Sequence, residues 1–243
     1  MPFISSETGL AVGLKYGSRA NYVAADIREL IVSGILVPRE SLRIDEVADF
    51  YQVSATPIRE ALHLLHAEGF IERSVGSGFR VYPFTQEDIE DVFLAHSFVA
   101  GELAARAVPK IDAATLSELR AVHFDTLALI ERGRLPRLNE VNQVFHQTIN
   151  RASNSPRLRW LTGFYLKYMP QRRYGNIRRW PEITVEGQTN LLAALENTDA
   201  AAARAAAAKN VNIAGQALAR HFVESVRKQE NRAIRPGAED LRI

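Results

Sequence analysis

The chain has 243 residues, 47% hydrophobic and 24% charged, the composition of a soluble globular protein with one large or two ordinary domains. It has no cysteine, which excludes a disulfide scaffold, a Cys-ligated zinc finger, an iron–sulfur cluster and a cysteine nucleophile. No apolar run is long enough to cross a bilayer, and the opening MPFISSETGLAVGLKYG lacks the charged and apolar regions of a secretory signal, so a reducing cytoplasm is expected. Thirty Lys+Arg against 28 Asp+Glu leave a formal charge of +2. Residues 1–84 hold 8 basic and 10 acidic residues and the remainder 22 and 18, so neither part has a bulk basic footprint for nucleic acid.

Residues 1–18 carry Gly9, Gly13 and Gly17 and little periodicity, and read as an arm. A helical pattern starts at Arg19, places Ile27, Leu30 and Ile31 on one face and ends near Gly34. After Pro38, Asp45 to Phe50 make a short helix with Val47 inward, and Tyr51-Gln52-Val53 connects it tightly to the next. Ser54 stands at the N-cap of that helix, Pro57 in its first turn, and Glu60 near the positive end of its dipole. Ile58, Ala61, Leu62 and Leu65 fall at i, i+3, i+4, i+7, so one face is core, and Gly69 ends the helix. The period then changes to that of strands over 70–75 and 79–82, with Gly76-Ser77-Gly78 as the hairpin turn.

From Thr85 onward the pattern is helical, with breaks that predict helices over 86–107, 113–132, 138–152, 156–168, 182–196 and 199–228. Asp112 caps the second of these and Asp199 the last, and the alanine-rich stretch 200–208 has strong helix propensity. The fold class expected is mainly α. It comprises an arm (1–18), an N-terminal winged helix-turn-helix (19–84), a C-terminal all-helical bundle (85–230) and a polar tail (231–243).

Three strings carry a family resemblance: Leu42-Arg43-Ile44-Asp45-Glu46-Val47-Ala48, then Val53-Ser54-Ala55-Thr56-Pro57-Ile58-Arg59-Glu60-Ala61-Leu62, then Leu65-His66-Ala67-Glu68-Gly69-Phe70-Ile71. They resemble the winged helix-turn-helix of the GntR family of bacterial transcription regulators. The helical remainder resembles the FCD effector domain of the FadR branch, through Val144-Phe145-His146, Ala152-Ser153-Asn154-Ser155-Pro156-Arg157-Leu158 and Leu191-Leu192 with Ala194-Leu195. The resemblance implies a homodimer that binds double-stranded operator DNA and answers to a small-molecule effector, by default as a repressor released by ligand. Such a protein is not an enzyme.

The residues support the DNA reading on their own. With the apolar face of the third helix buried, Thr56, Arg59, Glu60 and His63 face outward at the end that enters a major groove. Arg59 suits bidentate bonds to guanine O6 and N7, while Ser54 and Thr56 with the helix N–H groups suit a phosphate. Arg43 is a second candidate contact. Gly78 and Arg80 place a close backbone approach and a phosphate partner on the wing. In one departure from the family pattern, Ala55 stands where an arginine commonly follows the capping serine.

In many FCD proteins the family implies a divalent metal held by one Asp and three His. The resemblance puts these ligands at Asn142, His146, Gln188 and Asn210, and amide oxygens are weak, neutral ligands. No metal or other cofactor is therefore expected. The four residues are expected instead to form a hydrogen-bonding floor for the effector, or else to be satisfied core polar groups. His96, His123 and His221 read as ordinary helix-face or core histidines. The family's first effector-domain helix often supplies an arginine to the ligand, and Phe93 to Glu102 contains none.

Between Glu140 and Glu182 stand eight basic residues (Arg151, Arg157, Arg159, Lys167, Arg172, Arg173, Arg178, Arg179) and no acid. They form either an anion site or a solvated face. Two rival functions compete with a regulator. One is a helical-bundle enzyme with His146 as base, for which neither a paired carboxylate nor a nucleophile is evident. The other is an adaptor whose winged helix binds protein.

Overall fold

The computed structural model describes residues 18–74, 78–170 and 177–234. The chain divides into two compact units, one of residues up to 85 together with those from 222 onward, the other of residues 86–221. Residues 1–17 of the proposed arm (1–18), the turn residues 75–77, part of the basic stretch (171–176) and the end of the tail (235–243) lie outside the described residues.

In the first unit, α1 (Arg19–Val32) starts at Ser18, whose hydroxyl accepts the Asn21 N–H at 3.2 Å. Its buried stripe includes Ala20, Val23, Ala24, Ile27 and Ile31, the spacing of one helical face. Gly34 closes the helix at φ +67°, and the N–H groups of Ile35 and Leu36 both bond the carbonyl of Leu30. A Cβ at Gly34 would also crowd the Cβ of Ser225, so this position needs glycine on two counts.

Helix α2 (Ile44–Tyr51) carries Asp45 and Glu46 in its first turn and buries only Val47. Gln52 takes the left-handed conformation at its C-cap, φ 53°, which makes the tight connection to α3 (Ala55–Ala67). The hydroxyl of Ser54 makes no capping hydrogen bond although the residue occupies the N-cap. Ile58, Ala61, Leu62 and Leu65 are each fully buried, and α3 packs against both α1 and α2.

The wing is a three-stranded antiparallel sheet in the order β1-β3-β2, formed by Ser41–Leu42, Ile71–Ser74 and Gly78–Val81 taken as β1, β2 and β3 in chain order. Strand β2 starts one residue later than its sequence pattern, and β3 has the four residues of its pattern shifted by one towards the turn. Strand β1 is not legible in the sequence because two residues are too short to alternate. Buried Leu42 pairs with Phe79 and buried Ile71 with Val81, while Glu72 and Arg80 pair outward. Phe79 ties the sheet to α3, with the His63 ring edge-on at 5.6 Å and that of His66 tilted at 6.0 Å. Arg28 of α1 bonds Glu68 through Nε at 3.0 Å and lies over the Phe70 ring, joining the helices to the start of the wing.

The second unit is helical among its described residues: α4 (Gln86–Ala107), α5 (Ala113–Glu131), α6 (Leu138–Ala152), α7 (Pro156–Tyr165), α8 (Trp180–Glu196) and α9 (Ala200–Ile234), the last continuing into the first unit. Asp112 and Asp199 cap α5 and α9, accepting from Thr115 at 2.8 Å and from Ala201 and Ala202 at 3.0 and 2.9 Å. Three boundaries differ from the sequence pattern by two residues or more. Pro181 sits in the first turn of α8, where its missing N–H is harmless, so that helix begins at Trp180. The last turn of the predicted 156–168 helix tightens to a 3-10 turn over Leu166–Tyr168. Helix α9 runs to Ile234, so Asn231 to Ile234, read as tail, are helical.

Helix α4 packs on α6 and α7, and α5 on α6 and α8. Their core includes Leu119, Phe145, Ile149, Leu191 and Leu192, with Ala203 and Ala207 of α9 letting that helix approach closely. Glycines do the same. A Cβ at Gly187 would overlap the side-chain amide of Asn210, and one at Gly215 the side chain of Phe93.

Leu62→Ala should lower the stability of the protein by about 2–5 kcal/mol in urea denaturation, through the cavity it leaves. Arg59→Ala, on the exposed face of the same helix, should change it by less than about 0.5 kcal/mol.

Candidate DNA-reading face and effector cavity

On α3, Thr56, Arg59, Glu60 and His63 are exposed, opposite the four fully buried apolar residues. Arg59 makes no ion pair among the described residues, so its guanidinium is available to an outside acceptor. Ser54 is exposed at the helix start with its hydroxyl unused for capping. His63 is already engaged on one side by Phe79, which limits its reach compared with that of Arg59.

Arg43 is at the N-cap of α2, exposed, and bonds Asp45 at 3.1 Å and Glu46 at 3.5 Å. The hydrogen bond from Arg43 holds the Asp45 carboxyl below its usual range. Exposed pairs of this kind are weak and exchange readily for a phosphate. On the wing Arg80 pairs with Glu72 at 2.7 Å, and a Cβ at Gly78 would meet nothing. Arg73, exposed on β2 two pairs from the hairpin turn, is a further cation that the sequence reading did not single out. Its signal was present, since it is the last charged residue before the turn.

The second unit encloses a cavity of about 420 Å³ between α4, α6, α7, α8 and α9. Asn142, His146 and Asn210 line it, three of the four residues that the family alignment brings together. Gln188 does not. It is fully buried behind the wall, where its Nε2 donates to Asn142 Oδ1 at 3.1 Å and its Oε1 accepts from His123 Nδ1 at 3.0 Å. His123 thereby takes the Nδ1–H tautomer, and its Nε2 faces the Thr189 hydroxyl at 3.5 Å. This chain ties α5, α8 and α6 together, and the Asn142 nitrogen has no hydrogen-bond partner among the described residues. His123, read as an ordinary histidine, orients the floor from behind.

His96 also lines the cavity, which its position on an apolar helix did not reveal. Its ring stacks on Tyr165 at 5.1 Å, and its buried Nδ1 has no hydrogen-bond partner among the described residues. Burial pushes His96 down to about 4, with His146 adding to the shift, and burial alone pushes His146 down to about 4. Both imidazoles are therefore neutral at physiological pH. Of the described part of the basic stretch, Arg151 and Arg159 are among the residues that line the cavity although both are exposed, and Arg157, Arg178 and Arg179 are exposed and do not line it. Trp160 points outward at 71% exposure, and the aromatic rings on the wall are Phe93 and Trp180.

The metal that the FCD resemblance implies does not fit this arrangement. The Asn142 oxygen is committed to Gln188, Gln188 is off the wall, and among the described residues no three of His, Cys, Asp and Glu converge.

The fold thus combines a winged helix-turn-helix, whose third helix has an exposed polar face, with a helical bundle around a metabolite-sized cavity. The chain belongs to the gntR family of bacterial regulatory proteins, whose pattern matches residues 19–81, with an FCD domain over residues 91–223. It is similar to two curated proteins. One is the uncharacterized HTH-type transcriptional regulator YdhC of Bacillus subtilis (strain 168), 23% identical over 55% of this chain and 60% of YdhC. The other is the uncharacterized HTH-type transcriptional regulator BphR of Paraburkholderia xenovorans (strain LB400), 28% identical over 60% of this chain and 63% of BphR. The chain thus spans less than two thirds of the length of these two relatives. Among solved structures, E. coli McbR/YncC has the same fold, with a TM-score of 0.59 and 22% identity over 88% of this chain and 99% of that one. No helix among the described residues is long and apolar enough to cross a membrane.

The neutral histidines set a pH dependence. His96 binds a proton near 6.5 when unfolded and near 4 when folded, so the unfolded state holds more protons in between. Stability should be flat above about pH 7 and fall as the pH drops from about 6.5 to 4. His96→Gln should reduce the loss at pH 5 by about 2 kcal/mol, read as the change in urea midpoint between pH 7 and pH 5.

Proposed function

We propose that this protein is a ligand-responsive transcription regulator that acts as a homodimer on operator DNA. Each α3 reads one half-site of a near-palindromic sequence from the major groove. Arg59 reads base edges, Ser54, Thr56 and Arg43 hold phosphates, His63 rests against the wing beside the groove, and Gly78 and Arg80 bring the wing to the backbone. The observation that carries this reading is the division of α3 into a sealed apolar face and an exposed face whose arginine has no partner within the described structure.

The cavity of the second unit takes a small metabolite, with Asn142, His146 and Asn210 on its wall and Gln188 supporting them from behind. The exposed rings of Phe98, Phe124 and Trp160 supply apolar surface for subunit contact. Ligand binding shifts the relative placement of the two recognition helices in the dimer. A coupling of about 1–3 kcal/mol would change operator affinity about 5–150-fold, and release of a repressor is the default direction. The protein works in the cytoplasm, as a binding protein and not an enzyme.

Fluorescence anisotropy with the promoter region beside its own gene tests the proposal. Binding should weaken steeply between about 50 and 200 mM salt, as phosphate contacts require. Arg59→Ala should relax sequence preference at one position of each half-site by about 1–3 kcal/mol while non-specific binding remains. Unchanged specificity would remove α3 from the groove, and no binding even at low salt would leave the adaptor reading in its place.

A further inference from the structure

We propose that His63 and His66 are positioning residues for DNA binding, a role that rests on α3 being the recognition helix. They grip Phe79 and hold the wing on α3, so that Arg73 meets a backbone phosphate beside the groove that α3 reads.

The two histidines stand at i and i+3 of α3, so both rings leave the same side of the helix. Phe79 meets the ring of His63 edge-on at 5.6 Å and that of His66 at 6.0 Å, tilted by 60°. Phe79 is buried while both histidines stay exposed, so the clasp lies at the edge of the core. His66 is fixed a second time. Its Nδ1–H donates to the carbonyl of Ile71 on β2 at 3.1 Å, which sets the tautomer.

The place of the clasp on the sheet decides what it does. Phe79 is on β3, the central strand, in register with Leu42 of β1 and Arg73 of β2. A hold on this one residue therefore holds both edge strands. Phe79 is also two pairs nearer the hairpin turn than Ile71 and Val81, whose burial anchors the base of the wing. One residue further on, a Cβ at Gly78 would meet nothing within 4 Å. Without the clasp, β2 and β3 are a two-stranded ribbon free to pivot about that base.

Arg73 is the residue that this geometry aims. Cross-strand partners project from the same face of a sheet. Arg73 therefore shares with Phe79 the face turned to α3, while Arg80 and Glu72 share the other. Arg80 is bonded to Glu72 at 2.7 Å, whereas Arg73 is exposed and makes no ion pair among the described residues. An unpaired guanidinium on that face suits a phosphate oxygen. Such a contact carries no base readout, so it acts on affinity and salt dependence and leaves sequence preference alone.

The test is a double-mutant cycle on the full chain, read by fluorescence anisotropy. The probes are the duplex from beside its own gene and a duplex of random sequence. Arg73→Gln should weaken binding to both by about tenfold and reduce the salt slope by about one. The His63→Ala/His66→Ala pair should do the same with sequence preference kept, and in that background Arg73→Gln should have no further effect. His63→Phe/His66→Phe keeps both ring contacts and should restore the Arg73 effect. Phe79→Leu keeps the apolar burial without the ring and should match the alanine pair. Urea midpoints of every variant separate positioning from unfolding.

An undiminished Arg73→Gln effect in both the alanine-pair and Phe79→Leu backgrounds overturns the positioning role. Unchanged affinity and salt slope in Arg73→Gln itself overturn the phosphate contact, and the proposal with it. Arg59→Ala distinguishes this from failure of the recognition helix: if it relaxes sequence preference while Arg73→Gln does nothing, α3 stays in the groove and the clasp alone is wrong. No DNA binding by the unaltered chain overturns both.

Discussion

The 3.6-residue period of α3, with Ile58, Ala61, Leu62 and Leu65 all sealed from solvent, is the constraint on which the proposed DNA-reading face depends. Once those four residues are committed to α1, α2 and the wing, Thr56, Arg59, Glu60 and His63 have nowhere to go but outward. Apolar burial of this kind supplies the stability, and the readout residues sit on the resulting rigid surface. A domain carrying 8 basic and 10 acidic residues is therefore compatible with the proposed DNA contacts. The bulk charge is set by scattered surface residues, whereas groove binding needs a few cations on one helix and one wing.

The same division between scaffold and chemistry recurs in the bundle. Its helices meet through alanines, leucines and glycines, and the close approach of α9 is possible only because Gly187 and Gly215 leave room for Asn210 and Phe93. The cavity so formed is deep enough that imidazoles on its wall stay uncharged. A neutral floor with cations at another part of the wall is a different solution from a metal centre, and it can still orient a polar ligand. The hydrogen-bond chain from His123 through Gln188 to Asn142 holds the floor because each member is satisfied by the next.

How far this was legible in the sequence differs between the two units. The order helix, helix, helix, hairpin could be read because the apolar spacing, the caps and the change of period all agree over short distances. Strand β1 could not, because Ser41 and Leu42 become a strand only when β3 comes alongside. Ser54 occupies the expected cap position yet makes no capping bond, since position in the sequence does not settle which way a hydroxyl turns. Alignment grouped Asn142, His146, Gln188 and Asn210, and in the structure three of them line one cavity while Gln188 lies one layer behind it. His96 gave no signal at all, because a histidine on an apolar helix face looks the same whether the space beyond it is filled or empty.

The sequence by itself determined the class of fold, the family, the helix limits to within a few residues and the outward set on α3. The family follows from resemblance of its motif strings, and the rest from local periodicity, which is set by the geometry of a single element. Only the tertiary structure decided which residues share the cavity, that His123 supports its floor, and that Arg151 and Arg159, out of the six described cations of an acid-free stretch, are the two that line it. Those outcomes depend on how separate helices meet, and no single helix carries that information.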